Sequence, residues 1–242
     1  MVIIAEIGIN HNGNIHLAHE LIRQAKISGA DIAKFQFYDP EKIFGPNGTY
    51  PDKKNYEFAL TVQFDYEQAK LLKKWCDEEE IEFMASAFDI ERFEWVESLK
   101  VKRHKIASRA VQDKELCQKI FKTKKETFIS LGFWGKKETP YKYAHAKYLY
   151  CVPKYPCPPQ DLKLPASFVN SVYQGFSDHT IGIAAALTAV MRGATIIEKH
   201  FTLNKGLVGP DHICSMTPEE LRDLSVHARD LEKFLAAQHG SL

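Results

Sequence analysis

Short apolar runs alternate along the chain with longer segments whose apolar residues recur at helical spacing. Eight runs have strand length, and most are continuously apolar, which is typical of parallel strands covered on both faces. In chain order, the predicted strands read VIIAEIG, DIAKFQF, EFMASAF, HKIAS, TFISLG, KYLYCV, VYQGFS and TIIEKHF. The pattern therefore predicts an α/β protein built around a parallel sheet.

The segments between these strands predict helices that cover the sheet. The first helix spans Ile15–Ser28 and stops at Gly29, because glycine readily ends a helix. The others begin at Asp65 or span Ile90–Leu99, Asp113–Phe121, Leu162–Ser171, TIGIAAALTAVMRG and Pro218–Ala237. The segment after the fifth strand offers little helix, since Pro140 interrupts it. Asp39–Phe64 is predicted to be a long loop that acts as a lid or binds substrate.

Eight strands, most of them followed by a helix, approach the usual size of a (β/α)8 TIM barrel. An open doubly wound sheet is the alternative, and it predicts a glycine-rich phosphate turn after the first strand. The segment GINHNGN contains glycines but lacks the G-x-G-x-x-G spacing, which favours the barrel. We therefore expect residues 1–242 to form one barrel domain.

Composition narrows the function classes. Lysine and arginine number 32 against 31 acidic residues, so no large basic field attracts nucleic acid or a membrane surface. No apolar run approaches the length of a membrane span. The five cysteines form no Cys-x-x-Cys pair, and their odd number disfavours a disulfide framework. We expect a protein of the reducing cytoplasm, with neither a nucleic-acid nor a membrane partner.

Nearly every predicted strand ends in a polar or ionisable residue. In a barrel these ends lie on one rim, where catalytic groups are found. Lys34, Lys105 and Lys199 lie within otherwise apolar strands, and a buried lysine needs a carboxylate or a bound anion. Three lysines on one rim predict an anionic substrate, a phosphate or a carboxylate. The alternative is that each lysine pairs with a barrel carboxylate such as Glu6 or Glu198. Hydroxyl donors for the same anion are Ser108, Ser130 and Ser177.

Two histidines end adjacent strands, His179 the seventh and His200 the eighth. Neighbouring strands lie about 4.8 Å apart, so both imidazoles can reach one divalent ion. Two histidines leave coordination positions open for water or substrate, as a catalytic metal requires. Manganese, magnesium, cobalt and zinc all remain compatible. The alternative is a pair of hydrogen-bonded core histidines without a metal.

Several long blocks of the chain resemble the N-acetylneuraminate (sialic acid) synthase family, which also makes legionaminate and pseudaminate. The blocks are IAEIGINHNGNIHLAHELIRQAKISGADIAKFQFY, HKIAS, FSDHTIGIAAALTAVMRGATIIEKHFTL and GPDHICSMTPEEL, and the resemblance runs from Ile4 to about Leu224. It implies a barrel enzyme that condenses phosphoenolpyruvate with an aldose such as N-acetylmannosamine and releases phosphate. The product would be a 3-deoxy-2-ulosonic acid.

The resemblance also implies roles for individual residues. A divalent cation, most often manganese, would lie on His179 and His200 and polarise the aldehyde. Lys105 would act at the catalytic centre, and Glu6 would manage a proton. The phosphoenolpyruvate contacts implied by the resemblance match Lys34, Lys105, Ser108, Ser130 and Ser177, with Gln36 nearby. Lys199 is grouped with these anion-binding residues because it is the third lysine of the rim, and the sugar contacts match Glu6, Tyr155 and Asp211.

The chain departs from the family pattern in three places. The 242 residues include no counterpart of the family's C-terminal antifreeze-like domain, whose arginine contacts the acyl-amino group of the sugar. The family's Ser-Thr-Gly-Met is replaced by SLGFWG, in which Phe133 and Trp134 either reshape the mouth or pack on the surface. Pro153 replaces an asparagine that helps to hold the ligands, and Lys154 either compensates or is solvated. The acceptor sugar and the oligomeric state stay open, and a homodimer is compatible with the sequence.

Two other functions fit the same rim. A Schiff-base aldolase or lyase would use a desolvated lysine, with Lys105 and Lys199 as candidates, but it would not need two histidines at metal spacing. A sugar-binding barrel without catalysis would fit the Pro153 replacement, and the intact set of charged rim residues argues against it.

Overall fold

The computed structural model describes residues 1–136 and 138–238. Eight strands pair in chain order, every pair parallel, and close into a barrel because the first strand also pairs with the eighth. This confirms the (β/α)8 prediction and excludes an open sheet. The strands are β1 Val2–Gly8, β2 Ile32–Phe37, β3 Glu82–Ala87, β4 His104–Ile106, β5 Thr127–Ser130, β6 Ala146–Cys151, β7 Tyr173–Asp178 and β8 Ile196–His200.

Helices cover the outside of the barrel. They are α1 Ile15–Ile27, α2 Pro40–Phe44, α3 Lys53–Val62, α4 Tyr66–Glu78, α5 Ile90–Ser98, α6 Lys114–Lys122, α7 Ala184–Met191 and α8 Pro218–Gln238. Their buried faces join the outward residues of the strands in one large apolar core. Among the described residues, no helix combines the length and apolar character needed to cross a membrane.

Two predictions about connecting segments were wrong in part. The segment Leu162–Ser171 forms no helix, because Pro165 removes a backbone donor, and only the short 3-10 turn Pro159–Asp161 precedes it. The predicted loop Asp39–Phe64 contains α2 and α3. The carboxylates of Asp39 and Asp52 accept hydrogen bonds from backbone N–H groups at the starts of these helices, a capping signal that the loop prediction overlooked.

The prediction of little helix after the fifth strand agrees with the structure. The described residues between β5 and β6 form turns and bends, and they include no helix. The barrel is therefore not wrapped evenly, since the connection from β6 to β7 likewise has only one 3-10 turn.

The interior of the barrel is layered. The layer nearest the amino ends of the strands is apolar and comprises Ile4, Ile32, Met84, Phe128, Leu149 and Ile196. Gly175 occupies the corresponding position in β7, beside Ile196 and Leu149. Because side chains alternate across a strand, the residues two positions further along point into the barrel again. This apolar floor closes one end and leaves the carboxyl ends of the strands to form a cavity.

We expect Gly175→Ala to destabilise the protein. A Cβ at this position would lie 2.3 Å from the Ile196 carbonyl oxygen and 2.7 Å from Leu149 Cδ2. Overpacking of this kind costs about 1–3 kcal/mol of unfolding free energy. Urea unfolding measures the loss. Gly206→Ala is the matched control, since its nearest neighbour is the Asn204 side chain at 3.2 Å. Equal stability of both variants would contradict the packed floor.

Candidate active site

A ring of mostly polar side chains lies directly above the apolar floor. Every strand contributes one residue to this ring. In the strands that contribute to the floor, the ring residue lies two positions after the floor residue. The members are Glu6, Lys34, Ser86, Lys105, Ser130, Cys151, Ser177 and Glu198, and all of them line one cavity of about 230 Å³. The ring exists because the strands are paired in register, as in the alignment of Ser177 with Glu198. A continuous row of polar groups at this depth needs internal partners or a ligand.

Lys34 lies between two carboxylates. Its Nζ is 2.7 Å from Glu6 Oε2 and 3.7 Å from Glu198 Oε2, and the side chains are 7% exposed or less. Gln36 donates a hydrogen bond of 2.6 Å to the other oxygen of Glu6. Burial disfavours the ammonium, but the negative charges of Glu198 and Glu6 outweigh it and raise the pKa of Lys34. Lys34 is therefore a fixed cation.

Lys105 is less completely compensated. Its Nζ donates to Ser130 Oγ at 2.8 Å and lies 3.5 Å from Glu198 Oε1. Burial is the largest effect on it, and together with the positive charge of Lys34 it lowers the pKa of Lys105, although Glu198 opposes the shift. Glu198 also accepts from Ser177 Oγ at 3.0 Å. Burial alone would raise its pKa, but the charges of Lys105 and Lys34 hold it at about 2, so the carboxylate stays ionised.

His179 and His200 lie side by side at the mouth of the same cavity, with ring centroids 5.5 Å apart. The Nδ1 of His179 hydrogen-bonds to the Val152 carbonyl at 2.8 Å and must be its donor, which leaves Nε2 without a proton. Burial, reinforced by His200, lowers the pKa of His179 to about 3. The ring is thus neutral, as a metal ligand must be.

His200 is the less satisfied of the two imidazoles. Its Nδ1 is buried without a hydrogen-bond partner and lies 3.7 Å from Asp211 Oδ2. A buried orphan nitrogen beside a neutral imidazole and a carboxylate fits a divalent cation bound here. Within residues 1–136 and 138–238, no group of three His, Cys, Asp or Glu side chains is already arranged to hold a metal. The protein would supply two imidazoles and leave other positions to water or substrate.

The segment between β2 and α4 forms the outer wall of the cavity. Phe44 of α2 and Asn55, Phe58 and Ala59 of α3 line it. Phe133, which follows β5, and Tyr155 also line the cavity, and the Tyr155 ring lies tilted against His179 at a centroid distance of 4.0 Å. The long segment that the sequence marked as a lid or substrate-binding loop therefore lies over the barrel mouth.

The structure brings almost the whole predicted set together. Lining the cavity are Glu6, Lys34, Gln36, Lys105, Ser108, Ser130, Tyr155, Ser177, His179, His200 and Asp211. The exception is Lys199, whose prediction as a substrate contact the geometry contradicts. It lies between two inward residues of β8, so alternation turns it toward the helices. There its ammonium lies 3.1 Å from Asp178, with both side chains fully buried.

Two charged residues of the cavity were not predicted as site residues. Glu198 was considered only as a partner for a lysine, although it bridges Lys34 and Lys105. Its position two residues before His200 was the available signal. Arg109 also lines the cavity and lies over the rings of Phe44 and Tyr50, at 5.5 and 5.4 Å from their centroids. No pattern in the sequence joins Arg109 to the distant segment that holds it.

The departures from the family pattern lie at the edge of the cavity. Phe133 lines it, whereas Trp134 donates a hydrogen bond to the Glu138 carbonyl outside the lining. Lys154 pairs with Asp161 at 2.6 Å and also lies outside the lining, as does Pro153. Neither replacement therefore adds a charge to the cavity.

A closed barrel with a charged cavity at the carboxyl ends of its strands defines the class, a (β/α)8-barrel enzyme. Residues 21–240 match the NeuB family. The chain belongs to that family, which confirms the resemblance seen in its sequence. It is accordingly an enzyme, a transferase of the sialic acid synthase type in carbohydrate biosynthesis.

Curated relatives cover nearly the whole chain. The N,N'-diacetyllegionaminic acid synthase of Legionella pneumophila is 36% identical over 97% of this chain and 73% of its own length. The human N-acetylneuraminate-9-phosphate synthase is 33% identical over 97% of this chain and 71% of its length. The crystal structure of a Leptospira borgpetersenii sialic acid synthetase in complex with citrate matches with a TM-score of 0.85. It is 30% identical, and the match covers 96% of this chain and 84% of that one.

We expect Lys199→Met to reduce stability strongly. The change leaves Asp178 buried and ionised without its partner, which costs about 3–5 kcal/mol in such pairs. Asp178→Asn combined with Lys199→Met removes both charges and should recover much of the loss. Urea unfolding of the two single variants and the double variant measures the coupling. Additive effects would show that the pair does not interact.

Proposed function

We propose that the protein condenses phosphoenolpyruvate with an aldose and releases phosphate, giving a 3-deoxy-2-ulosonic acid of the sialic acid type. The observation that supports this most directly is the meeting of Lys34, Lys105 and four serines with two imidazoles in one cavity. The relatives are named as synthases of N,N'-diacetyllegionaminic acid and of N-acetylneuraminate-9-phosphate, so both an unphosphorylated and a phosphorylated product are named among them. We treat residues 1–242 as the catalytic barrel and place the enzyme in the cytoplasm, where its buried, unpaired cysteines stay reduced.

Phosphoenolpyruvate fits the deep part of the cavity. Its phosphate and carboxylate need several cationic and hydroxyl donors, and the ring offers Lys34, Lys105, Ser130 and Ser177 within a few ångströms of one another. The charges of Glu6 and Glu198 balance the two lysines, so an entering anion competes with them. Lys105 is the better receptor, because burial lowers its pKa, it has fewer carboxylate neighbours than Lys34, and a bound anion would stabilise its ammonium form.

The aldehyde of the acceptor would lie near His179 and His200. These side chains would hold a divalent cation, manganese in our proposal, which when bound acts as a Lewis acid. The reaction forms a bond from C3 of phosphoenolpyruvate to the aldehyde carbon, while the carbonyl π bond breaks and its oxygen takes up a proton from solvent to become a hydroxyl group. Water adds at C2, and phosphate leaves with cleavage of the C–O bond. Glu6 is the carboxylate placed to take the proton of that water, since its Oε2 is ion-paired with Lys34 at 2.7 Å and has no hydrogen-bond partner among the described residues.

A Schiff-base lyase is the second candidate that the rim lysines suggested. Lys199 is unsuited to it, because its ammonium is enclosed by Asp178 and the Thr180 carbonyl. Lys105 retains the lowered pKa that such chemistry needs. Borohydride treatment with pyruvate separates the two functions, since only an imine leaves a covalent adduct.

The direct test is a screen for phosphate release from phosphoenolpyruvate. Free and phosphorylated aldoses are offered with each of manganese, magnesium, cobalt and zinc. We expect phosphate release that depends on both an aldose and a divalent metal. Phosphoenolpyruvate left intact with every aldose would sink the proposal and favour a sugar-binding barrel without catalysis.

We expect Lys105→Met to weaken phosphoenolpyruvate binding. The lost charge-assisted hydrogen bond is worth about 1.5–3 kcal/mol, or roughly 10- to 150-fold in the dissociation constant. Calorimetric titration of phosphoenolpyruvate measures it. Lys119→Met, on the outer helix α6, is the control and should bind as the parent does. An unchanged dissociation constant for Lys105→Met would remove Lys105 from the anion site.

We expect His200→Ala to abolish metal-dependent turnover and to weaken manganese binding, while the circular dichroism spectrum stays unchanged. The side chain supplies one of the two imidazoles, so its removal leaves a single protein ligand. Electron paramagnetic resonance measures free manganese independently of activity. His227→Ala, exposed on α8, controls for the loss of a histidine. Manganese affinity equal to the parent's would refute the ligand role.

A further inference from the structure

One cation of the cavity differs from the others in its partners. Six charged side chains line the cavity: Glu6, Lys34, Lys105, Arg109, Glu198 and Asp211. Lys34 and Lys105 each have a carboxylate within 4 Å, and Asp211 lies beside His200. Arg109 has no ion pair or side-chain hydrogen bond with any residue in the described ranges. Its charge therefore faces the cavity uncompensated by the protein.

The Arg109 guanidinium is contacted by aromatic rings rather than by a carboxylate. Its guanidinium carbon lies 5.5 Å from the Phe44 centroid and 5.4 Å from the Tyr50 centroid. The Tyr50 ring centroid in turn lies 6.2 Å from that of Phe133, which also lines the cavity. Stacking fixes the plane of a guanidinium while leaving its N–H edge free to bind an anion with two hydrogen bonds.

The position of Arg109 places it outside the deep anion site. It follows β4 by three residues and is half-buried, whereas Lys34 and Lys105 are 2% exposed. Its rings belong to the segment around α2 that roofs the cavity. Arg109 lines the same cavity as His179 and His200, so an acceptor with its aldehyde at the histidines could present its far end to Arg109.

We infer that Arg109 is a specificity-determining residue that binds an anionic group, a phosphate or a carboxylate, on the acceptor aldose. The inference rests on the proposed function and adds the class of acceptor to it. A guanidinium that is contacted by rings and has no acceptor in the protein forms its strongest hydrogen bonds with a negatively charged ligand. Phosphoenolpyruvate is the other possible source of that charge, and the experiment separates the two.

The test compares three acceptors with the parent protein and with Arg109→Gln, Arg109→Lys and Lys136→Gln. The acceptors are N-acetylmannosamine, its 6-phosphate and mannuronate. Consumption of phosphoenolpyruvate is measured with manganese. Acceptor binding is measured by calorimetry in the presence of 2-phospholactate, which lacks the reacting double bond. Lys136 is a matched control, since it too lies over an aromatic ring, that of Trp134 at 5.0 Å, but outside the cavity lining.

We expect the parent protein to prefer one of the anionic acceptors over the neutral sugar by about tenfold or more. Arg109→Gln should remove this preference with an unchanged KM for phosphoenolpyruvate. Arg109→Lys should retain part of it, because lysine keeps the charge and loses the planar fork. Lys136→Gln should match the parent. Preference for the phosphate over the carboxylate, or the reverse, identifies the anionic group.

Two results would overturn the inference. One is a parent protein that binds neutral and anionic acceptors equally. The other is an Arg109→Gln variant whose KM for phosphoenolpyruvate rises equally with every acceptor, which would assign Arg109 to that substrate. Failure of the proposed function looks different, since phosphoenolpyruvate would then remain with all acceptors. The calorimetric comparison would still decide whether Arg109 binds the acceptor's anionic group.

Discussion

The buried ion pairs among Glu6, Lys34, Glu198 and Lys105 are the interaction on which the site depends. Four ionised groups at 5% exposure or less are unfavourable unless each has a partner, and each has one within 4 Å. Such a cluster forms only if β1, β2, β4 and β8 meet inside a closed barrel. A slip of one residue in any of these strands would turn its charge toward the apolar helices. The apolar floor lies directly beneath the cluster. Gly175 leaves room in that floor for Leu149 and Ile196, because it has no side chain.

The same cluster bears on how the cavity would receive the anion of the proposed function. Its two lysines and two carboxylates cancel in charge, yet they are not equivalent. Glu6 and Glu198 together raise the pKa of Lys34, whereas Lys105 shares Glu198 with Lys34 and its pKa is lowered. In the proposed function, an anion that reaches Lys105 and Ser130 would add to the single carboxylate that Lys105 shares with Lys34. Further out, the two imidazoles would hold the proposed cation, and Arg109 would bind the anionic group that we infer on the acceptor.

Much of the fold could be predicted from the sequence, because strands and helices leave local patterns of apolar and polar residues. Continuous apolar runs predicted the eight strands to within two residues, since burial on both faces removes polar residues from the whole run. The rim residues followed, because parallel strands in a barrel all end at one side. The errors came where local rules conflict. Pro165 broke a segment with helical apolar spacing, and two capping aspartates started helices in a segment that looked like loop.

The sequence by itself determined the barrel, the family and the rim to which most of the polar residues belong. Only the tertiary structure decided which residues face inward. A strand buried on both faces shows no alternation in hydrophobicity, so Lys199 and Glu198 looked alike until closure of the barrel sent one to the helices and the other to the cavity. The place of Arg109 in the cavity was likewise decided by the tertiary structure. Its guanidinium lies over the rings of Phe44 and Tyr50, which are distant in the sequence. Contacts of this kind arise from packing, and no regular spacing of residues in the sequence predicts them.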